Sequence, residues 1–251
     1  MTAYELMVKT NHYLIQNPAE DALSPVQKRR IVSELLAARS TPEQRRRFYL
    51  GVKFPGNRDA RGMRLYPDFY IPPYNGGKKY KTILGQTPNT HLFSANMYEL
   101  EILRLLHRFA PDDYDVRTMT EATLDRLYHT CFGNEDDGVG ECFDTNLVVI
   151  RFLCETSPHD IVRIKSRMGV YERHRGEKKR TWHPSWYYRL ILSEAPYALS
   201  EPFFKNTLPD VSSELPEKCV LPLRNREPTR TLQPVLLSIL RNLETRLRAC
   251  Q

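Results

Sequence analysis

The sequence predicts an all-α protein made of helical hairpin repeats, as in an α-solenoid or a partial α/α toroid, with a long ordered aromatic-rich loop. Three observations predict this fold: paired helix-capping patterns near the start, a proline-aligned repeat in the second half, and a breaker-rich stretch between them. We expect one helical domain over 1–251. Its parts are N-terminal helices (1–51), an irregular arm (52–92), helical repeats (93–195), and a Pro-rich segment with a C-terminal helix (196–251).

The N-terminal helices are indicated by local capping signals. A helix is expected over about 3–16. The pattern Ser-Pro-Val-Gln at 24–27 is a capping box with proline at the first helical position, and Thr-Pro-Glu-Gln at 41–44 repeats it. These patterns predict two short helices joined by a tight turn near Ser40. A last helix is expected over about 233–250, where apolar residues recur at helical spacing.

The arm at 52–92 lacks helical periodicity and contains turn-forming Pro, Gly and Asn residues at short intervals. Loops of this length are usually functional or disordered. Its aromatic residues argue for order, because their apolar area gains by packing; they are Phe54, Tyr66, Phe69, Tyr70, Tyr74 and Tyr80. We expect an arm that lies across the helices, with a short strand near 79–84.

The second half of the chain repeats. Arg104, Arg151 and Arg189 each stand in an apolar segment, seven residues before an Ala-Pro or Ser-Pro pair, and the segments align without a gap. Successive matches are 47 and 38 residues apart. Helices recurring at this interval are typical of solenoids and α/α toroids, and an irregular helical bundle is the alternative.

The segment 141–155 is the most apolar of the expected helices. Within 147–154 the only polar residue is Arg151, so the helix should be surrounded by others on nearly every side. A buried guanidinium is costly unless it is paired. We therefore expect a carboxylate partner for Arg151, and the candidates are Glu99, Glu101 and Glu194.

An acidic turn at 132–146 precedes this helix and holds five acids without Lys or Arg, in a protein of net charge +7. Part of this charge is explained by helix capping. Asp144 or Thr145 could cap the helix, with Gly138 and Gly140 allowing a tight turn. A helix start needs only one or two acids, so a functional role for the surplus is the second interpretation.

An enzyme interpretation places a cleft between the 66–96 loop and the acidic turn at 134–146. Acid–base chemistry there would use carboxylates, an imidazole and a phenol. The candidate catalytic residues are Asp137, Glu141, Asp144, His91 and Tyr98. Oxygen ligation of a divalent ion by the turn and a zinc site at His129, Cys131 and Cys142 are two further alternatives, but the spacings fit neither. We expect no metal and no cofactor.

Basic residues next to aromatic ones form the second signal. They could contact phosphates, while the aromatic rings stack on bases. The candidate binding residues are Lys78, Lys79, Tyr80, Arg175, Lys178, Lys179, Arg180 and Trp182. Charge runs are also typical of solvated helix faces, which is the structural alternative.

Composition and motifs narrow the function class. No run of about 20 apolar residues and no secretory signal is present, and five scattered cysteines indicate reduced thiols, so we expect a cytoplasmic protein that does not span a membrane. Phosphate-loop, dinucleotide-binding and serine or metallo-hydrolase motifs are absent. The sequence therefore favours a helical-repeat binding protein for an anionic partner, either nucleic acid or a phosphorylated ligand, over the enzyme.

Overall fold

The structure, a computed structural model, describes residues 1–19, 21–44, 68–69, 80–85, 87, 91–128, 141–174, 184–204 and 226–249. The described residues form helices and no strand, which confirms the all-α prediction. The helices are α1 (Ala3–Gln16), α2 (Pro25–Leu36), α3 (His91–Phe109), α4 (Tyr114–Tyr128), α5 (Glu141–Thr156), α6 (Ile161–His174), α7 (Pro184–Glu194), α8 (197–204) and α9 (Arg226–Arg248).

The capping signals act as the sequence predicts. At the start of α2 the Ser24 hydroxyl accepts a hydrogen bond from the Gln27 amide, and the Gln27 side chain accepts one from the Ser24 amide. The same reciprocal pair joins Thr41 and Gln44 at a helical turn over 42–44. Each pair satisfies two backbone donors that a helix start otherwise leaves free.

Five helices form a closed circuit of contacts. Helix α1 packs on α3, α3 on α5, α5 on α7, α7 on α9, and α9 returns to α1. The contact between α3 and α5 is the most extensive. Helix α2 packs on α1 and α3, α4 on α3, and α6 on α5, so these three alternate along the chain with members of the circuit. The core fills the space between these helices with mainly aliphatic side chains.

The proline-aligned segments are all helical. Helices α3, α5 and α7 each end two residues before the aligned proline, and the aligned arginines, Arg104, Arg151 and Arg189, are all buried. A residue before proline is biased away from the helical conformation, which explains the common end point. The solenoid or partial toroid stays a prediction.

Several element boundaries differ from expectation. Helix α9 begins at Arg226, seven residues before the expected start near 233, so Pro234 lies inside the helix. Helix α3 begins at His91, two residues before the expected start of the helical repeats at 93. Residues 80–84 are not a strand: the Gly85 amide donates to the Thr82 carbonyl at 2.8 Å, which closes a turn.

Residues 80–83 of the arm pack on α1. The Tyr4 hydroxyl donates to the Lys81 carbonyl at 2.7 Å, and the rings of Tyr4 and Tyr80 meet edge to face with centroids 4.7 Å apart. Phe69 and Ile83 are fully buried. The ordered aromatic-rich arm as a whole stays a prediction, and the remainder of 52–90 lies outside the described residues.

A glycine at the end of this turn is required by its backbone and by its neighbour. Gly85 has φ of 78°, and a Cβ there would stand 2.3 Å from Leu232 Cδ1 on α9. We expect Gly85→Ala to lower the free energy of unfolding by about 1–3 kcal/mol. Urea denaturation would measure this.

The matched control is Gly169→Ala on α6, where the nearest atom to the new Cβ is Arg173 NH1 at 3.8 Å. Alanine should there leave stability unchanged or raise it by about 1 kcal/mol, because alanine favours a helix interior. Equal effects of the two substitutions would contradict the role given to Gly85.

Candidate functional site

The centre of the helix circuit holds a buried ionic network. Arg151 on α5 donates from NH1 to Glu101 Oε2 on α3 at 2.6 Å. Its Nε and NH2 donate to the two oxygens of Glu194 on α7 at 2.8 and 2.9 Å, a bidentate pairing. Arg104 lies 3.4 Å from Glu101 and 3.1 Å from Glu155. Two of the three carboxylates expected for Arg151 are therefore confirmed as its partners.

Two uncharged side chains complete the network, which is called the central network below. The side-chain oxygen of Asn11 on α1, Oδ1, accepts from Arg104 NH2 at 2.5 Å and from Arg151 NH1 at 3.0 Å. The Tyr187 hydroxyl on α7 donates to Glu101 Oε1. Four helices of the circuit thus meet at these groups, and both oxygens of Glu101 are used.

Three groups of the central network, Arg151, Glu194 and Tyr187, have shifted pKa values. Burial acts to lower the pKa of Arg151, but Glu101 and Glu194 outweigh it and raise that pKa well above its usual range. Burial acts to raise the pKa of Glu194, but Arg151 and Arg104 hold it below its usual value. Burial and the charge of Glu101 raise the pKa of Tyr187, which stays a hydrogen-bond donor.

Glu99, the third candidate partner of Arg151, belongs to a separate cluster. It pairs with Arg126 on α4 and accepts from the Asp68 amide at 2.6 Å. Asp68 in turn pairs with Arg39 at 2.9 Å, and its carbonyl accepts from the Ser40 amide at 2.8 Å. Burial raises the pKa of Glu99, against the lowering effect of Arg126. This cluster holds Ser40 and Asp68, the residues on either side of 41–67, near α3 and α4.

A surface cleft of about 480 Å³ opens onto the central network. Glu155 and Glu194 are 25% and 23% exposed there, whereas Arg104, Arg151 and Glu101 are at most 2% exposed. The cleft is lined by apolar residues and four charged ones: Leu14, Leu23, Lys28, Arg108, Phe109, Cys154, Glu155, Pro158, Glu194 and Pro196. Its volume lies within the range of small-molecule sites.

The cysteine in the cleft wall is a thiol at neutral pH. Burial, reinforced by Glu194 and Glu155, raises the pKa of Cys154 to about 12. The thiolate is the reactive form of cysteine, and it is scarce at neutral pH under these conditions. Cys154 therefore contributes apolar surface to the cleft.

The predicted catalytic residues are placed only in part. Tyr98 is buried in α3, and burial, with Tyr80 adding to it, raises its pKa to about 12, so it is uncharged at neutral pH. His91 is the first residue of α3, and Glu141 and Asp144 lie in the first turn of α5, so Asp144 and Thr145 are inside the helix and do not cap it. The side chains of His91, Glu141 and Asp144 and the whole of Asp137 lie outside the described residues. The acid–base cleft stays a prediction.

One predicted binding residue falls on the described part. Tyr80 is half-buried against Tyr4. The others lie outside the described residues: Lys78, Lys79, Arg175, Lys178, Lys179, Arg180 and Trp182. Their role in binding an anion stays a prediction.

Sequence reasoning missed Glu155 and the two uncharged members of the central network. Asn11 lies four residues after Met7 and three before Leu14, on the buried stripe of α1. A polar residue at a stripe position was therefore a usable signal. Tyr187 follows Trp186 and precedes Tyr188 in an aromatic run, and nothing in the sequence distinguishes it from its neighbours.

Neither a metal site nor a relative adds to this geometry. Within the described ranges, no three His, Cys, Asp or Glu side chains are grouped as metal ligands, and no helix is long and apolar enough to cross a bilayer. No protein family, no curated protein and no solved structure matches the chain.

The stability of the fold should depend on pH through His12. Nε2 of His12 lies 2.5 Å from the Ile83 carbonyl oxygen and donates to it. Burial lowers the pKa of His12, and the charge of Arg151 adds to this effect. A histidine with a lowered folded-state pKa binds fewer protons when folded, so its stabilising contribution is lost as pH falls through the unfolded-state pKa, about 6.5.

We expect the free energy of unfolding to fall between about pH 7.5 and pH 5.5, and less steeply in His12→Gln, which keeps a donor but does not titrate. Urea denaturation at several pH values would measure the slope. The matched control is His159→Gln in the exposed α5–α6 turn, which should leave the slope unchanged. A slope unaffected by His12→Gln would contradict the assignment.

Proposed function

We propose that the chain is a helical-repeat scaffold that binds an anionic partner, either nucleic acid or another phosphorylated ligand, through basic segments that connect its helices. The observation that carries the proposal is the distribution of charge. The described residues contain 21 Lys or Arg and 21 Asp or Glu, so they are neutral as a group. The net charge of +7 arises from the other residues of the sequence.

Three connecting segments supply the excess. Residues 45–67 contain seven Lys or Arg and one acid, 71–79 contain two Lys, and 175–183 contain four Lys or Arg and one acid. Aromatic residues accompany the charges, among them Tyr74 and Trp182. Cations contact phosphates and aromatic rings stack on bases, a combination typical of single-stranded nucleic-acid binding.

The helical body suits the role of a scaffold because its own charges are matched internally. Arg104, Arg126 and Arg151 are each paired with buried or half-buried carboxylates. Repeated hairpins forming a partial α/α toroid are part of the proposal. The closed circuit of α1, α3, α5, α7 and α9, alternating with α2, α4 and α6, supports it.

The test is fluorescence anisotropy with a labelled single-stranded RNA over a range of salt concentrations. The logarithm of the binding constant should fall linearly with the logarithm of the salt concentration, with a slope of about 0.7 for each phosphate contacted in a single strand. The variant Lys178→Gln/Lys179→Gln/Arg180→Gln should weaken binding and lower the slope by up to about 2, if all three residues contact phosphates.

The matched control neutralises three exposed cations of the helical body, Lys9→Gln/Arg117→Gln/Arg241→Gln, with the same change in net charge. It should weaken binding much less. Competition with inorganic polyphosphate distinguishes two modes of binding. If the protein contacts only phosphates, polyphosphate should abolish RNA binding, whereas RNA binding should survive if the protein also recognises bases. No binding at low salt, or equal losses in both triple variants, would refute the proposal.

A further inference from the structure

We propose that the cleft between α1, α2, α3, α5 and α7 binds a small zwitterion, a ligand with an ammonium group, a carboxylate and an apolar side chain, as in an apolar α-amino acid. The site is distinct from the basic segments of the proposed function. Its 480 Å³ volume is suited to a ligand of this size. The argument rests on the charges of the lining, the fixed position of its carboxylates and its apolar wall.

The cleft presents both signs of charge in equal number. Glu155 and Glu194 supply two negative charges, and Lys28 and Arg108 supply two positive ones. Arg108 NH1 stands 3.6 Å from Glu155 Oε2, which is too far for a hydrogen bond. A ligand group can therefore approach the Arg108 guanidinium without displacing a short pair.

The carboxylates are held in position from behind. Arg104 donates to Glu155 Oε2 at 3.1 Å, and Arg151 holds both oxygens of Glu194. Among the described residues, Glu155 Oε1 receives no hydrogen bond. A carboxylate has about four acceptor positions, so both groups keep capacity on the side of the cleft. Fixed acceptors lower the entropy cost of binding.

A ligand of one sign would not complement this lining. An anion would face Glu155 and Glu194, and a cation would face Lys28 and Arg108. A zwitterion can place its ammonium at the carboxylates and its carboxylate at the cations, while its side chain contacts the apolar wall. That wall is formed by Leu14, Leu23, Phe109, Pro158 and Pro196.

The experiment is isothermal titration calorimetry of the full chain with three matched probes: L-phenylalanine, 2-phenylethylamine, which lacks the carboxylate, and 3-phenylpropionate, which lacks the ammonium. Phenylalanine should bind, and each truncated probe should bind about tenfold more weakly or worse, because each loses hydrogen bonds to charged groups. Absence of phenylalanine binding at about 10 mM, or equal affinity for a truncated probe, overturns the proposal.

Arg108→Gln tests the orientation of the ligand. This residue is 28% exposed, and Glu155 retains Arg104 when it is replaced, so the fold should persist. The variant should weaken phenylalanine binding about tenfold and leave phenylethylamine unaffected. The control Arg117→Gln, an exposed position on α4, should change neither. An unchanged phenylalanine affinity in Arg108→Gln overturns the assignment, and urea denaturation of each variant confirms that it is folded.

Discussion

Replacing Arg151 with Met should lower the free energy of unfolding by about 3–5 kcal/mol, because the substitution leaves buried carboxylates without their counter-ion. Glu101 is 1% exposed and receives its shortest charged contact from Arg151. Glu194 loses both of its hydrogen bonds to the guanidinium. Methionine fills much of the volume, so the loss reports charge more than packing. Urea denaturation at neutral pH measures it.

The matched control is Arg248→Met on α9, whose partner Glu244 lies one turn earlier on an exposed helix face. An exposed pair of this kind contributes about 0.5 kcal/mol or less. If Arg151→Met costs no more than Arg248→Met, the central network does not hold the helix circuit together.

Replacing Arg126 with Met should also cost about 3–5 kcal/mol at neutral pH, and the cost should depend on pH. Arg126 is the group that lowers the pKa of Glu99 against burial. Without it, burial raises that pKa further. A carboxyl with a raised folded-state pKa contributes stability below its unfolded-state pKa, and this contribution is lost as pH rises through the folded-state value. Arg126→Met should therefore be more destabilising at about pH 8 than at about pH 5.

A double-mutant cycle with Glu99→Gln isolates the pair. The introduced glutamine side chain can still accept from the Asp68 amide but carries no charge. The double variant should be less destabilised than the sum of the single variants, by about 1–3 kcal/mol. Additive losses, or a loss in Arg126→Met that is independent of pH, would show that Glu99 and Arg126 are not coupled.

The sequence predicted that Arg151 pairs with a carboxylate, but it could not show which of the candidate glutamates is the partner. Glu99 and Glu101 are two residues apart, which places them about 200° apart around a helix with 3.6 residues per turn. In the structure Glu101 faces α5 and α7, whereas Glu99 faces α4. Residues 96–106 of α3 are buried on every side, so periodicity gave no information on which face meets which helix.

Local signals were the reliable part of the sequence. The structure confirms the capping boxes at Ser24 and Thr41 and the helix ends before Pro111, Pro158 and Pro196. These features could be predicted from the sequence because they depend on neighbours within four residues. The predicted start of α9 was wrong, because the helix extends eight residues to the N-terminal side of Pro234. The cleft could not be predicted, since its lining comes from residues 14 to 196, which only the tertiary fold brings together.

The contact between α1 and α9 joins the first and last described helices. The Asn242 side chain on α9 donates to the Ile15 carbonyl on α1 at 3.0 Å, across 227 residues of sequence. A linear stack of repeats can gain or lose a unit at either end and can unfold unit by unit. In a closed circuit, losing one helix breaks two contacts and opens the core. The number of helices in the circuit is thus constrained by closure, and we expect one cooperative unfolding transition for the whole circuit.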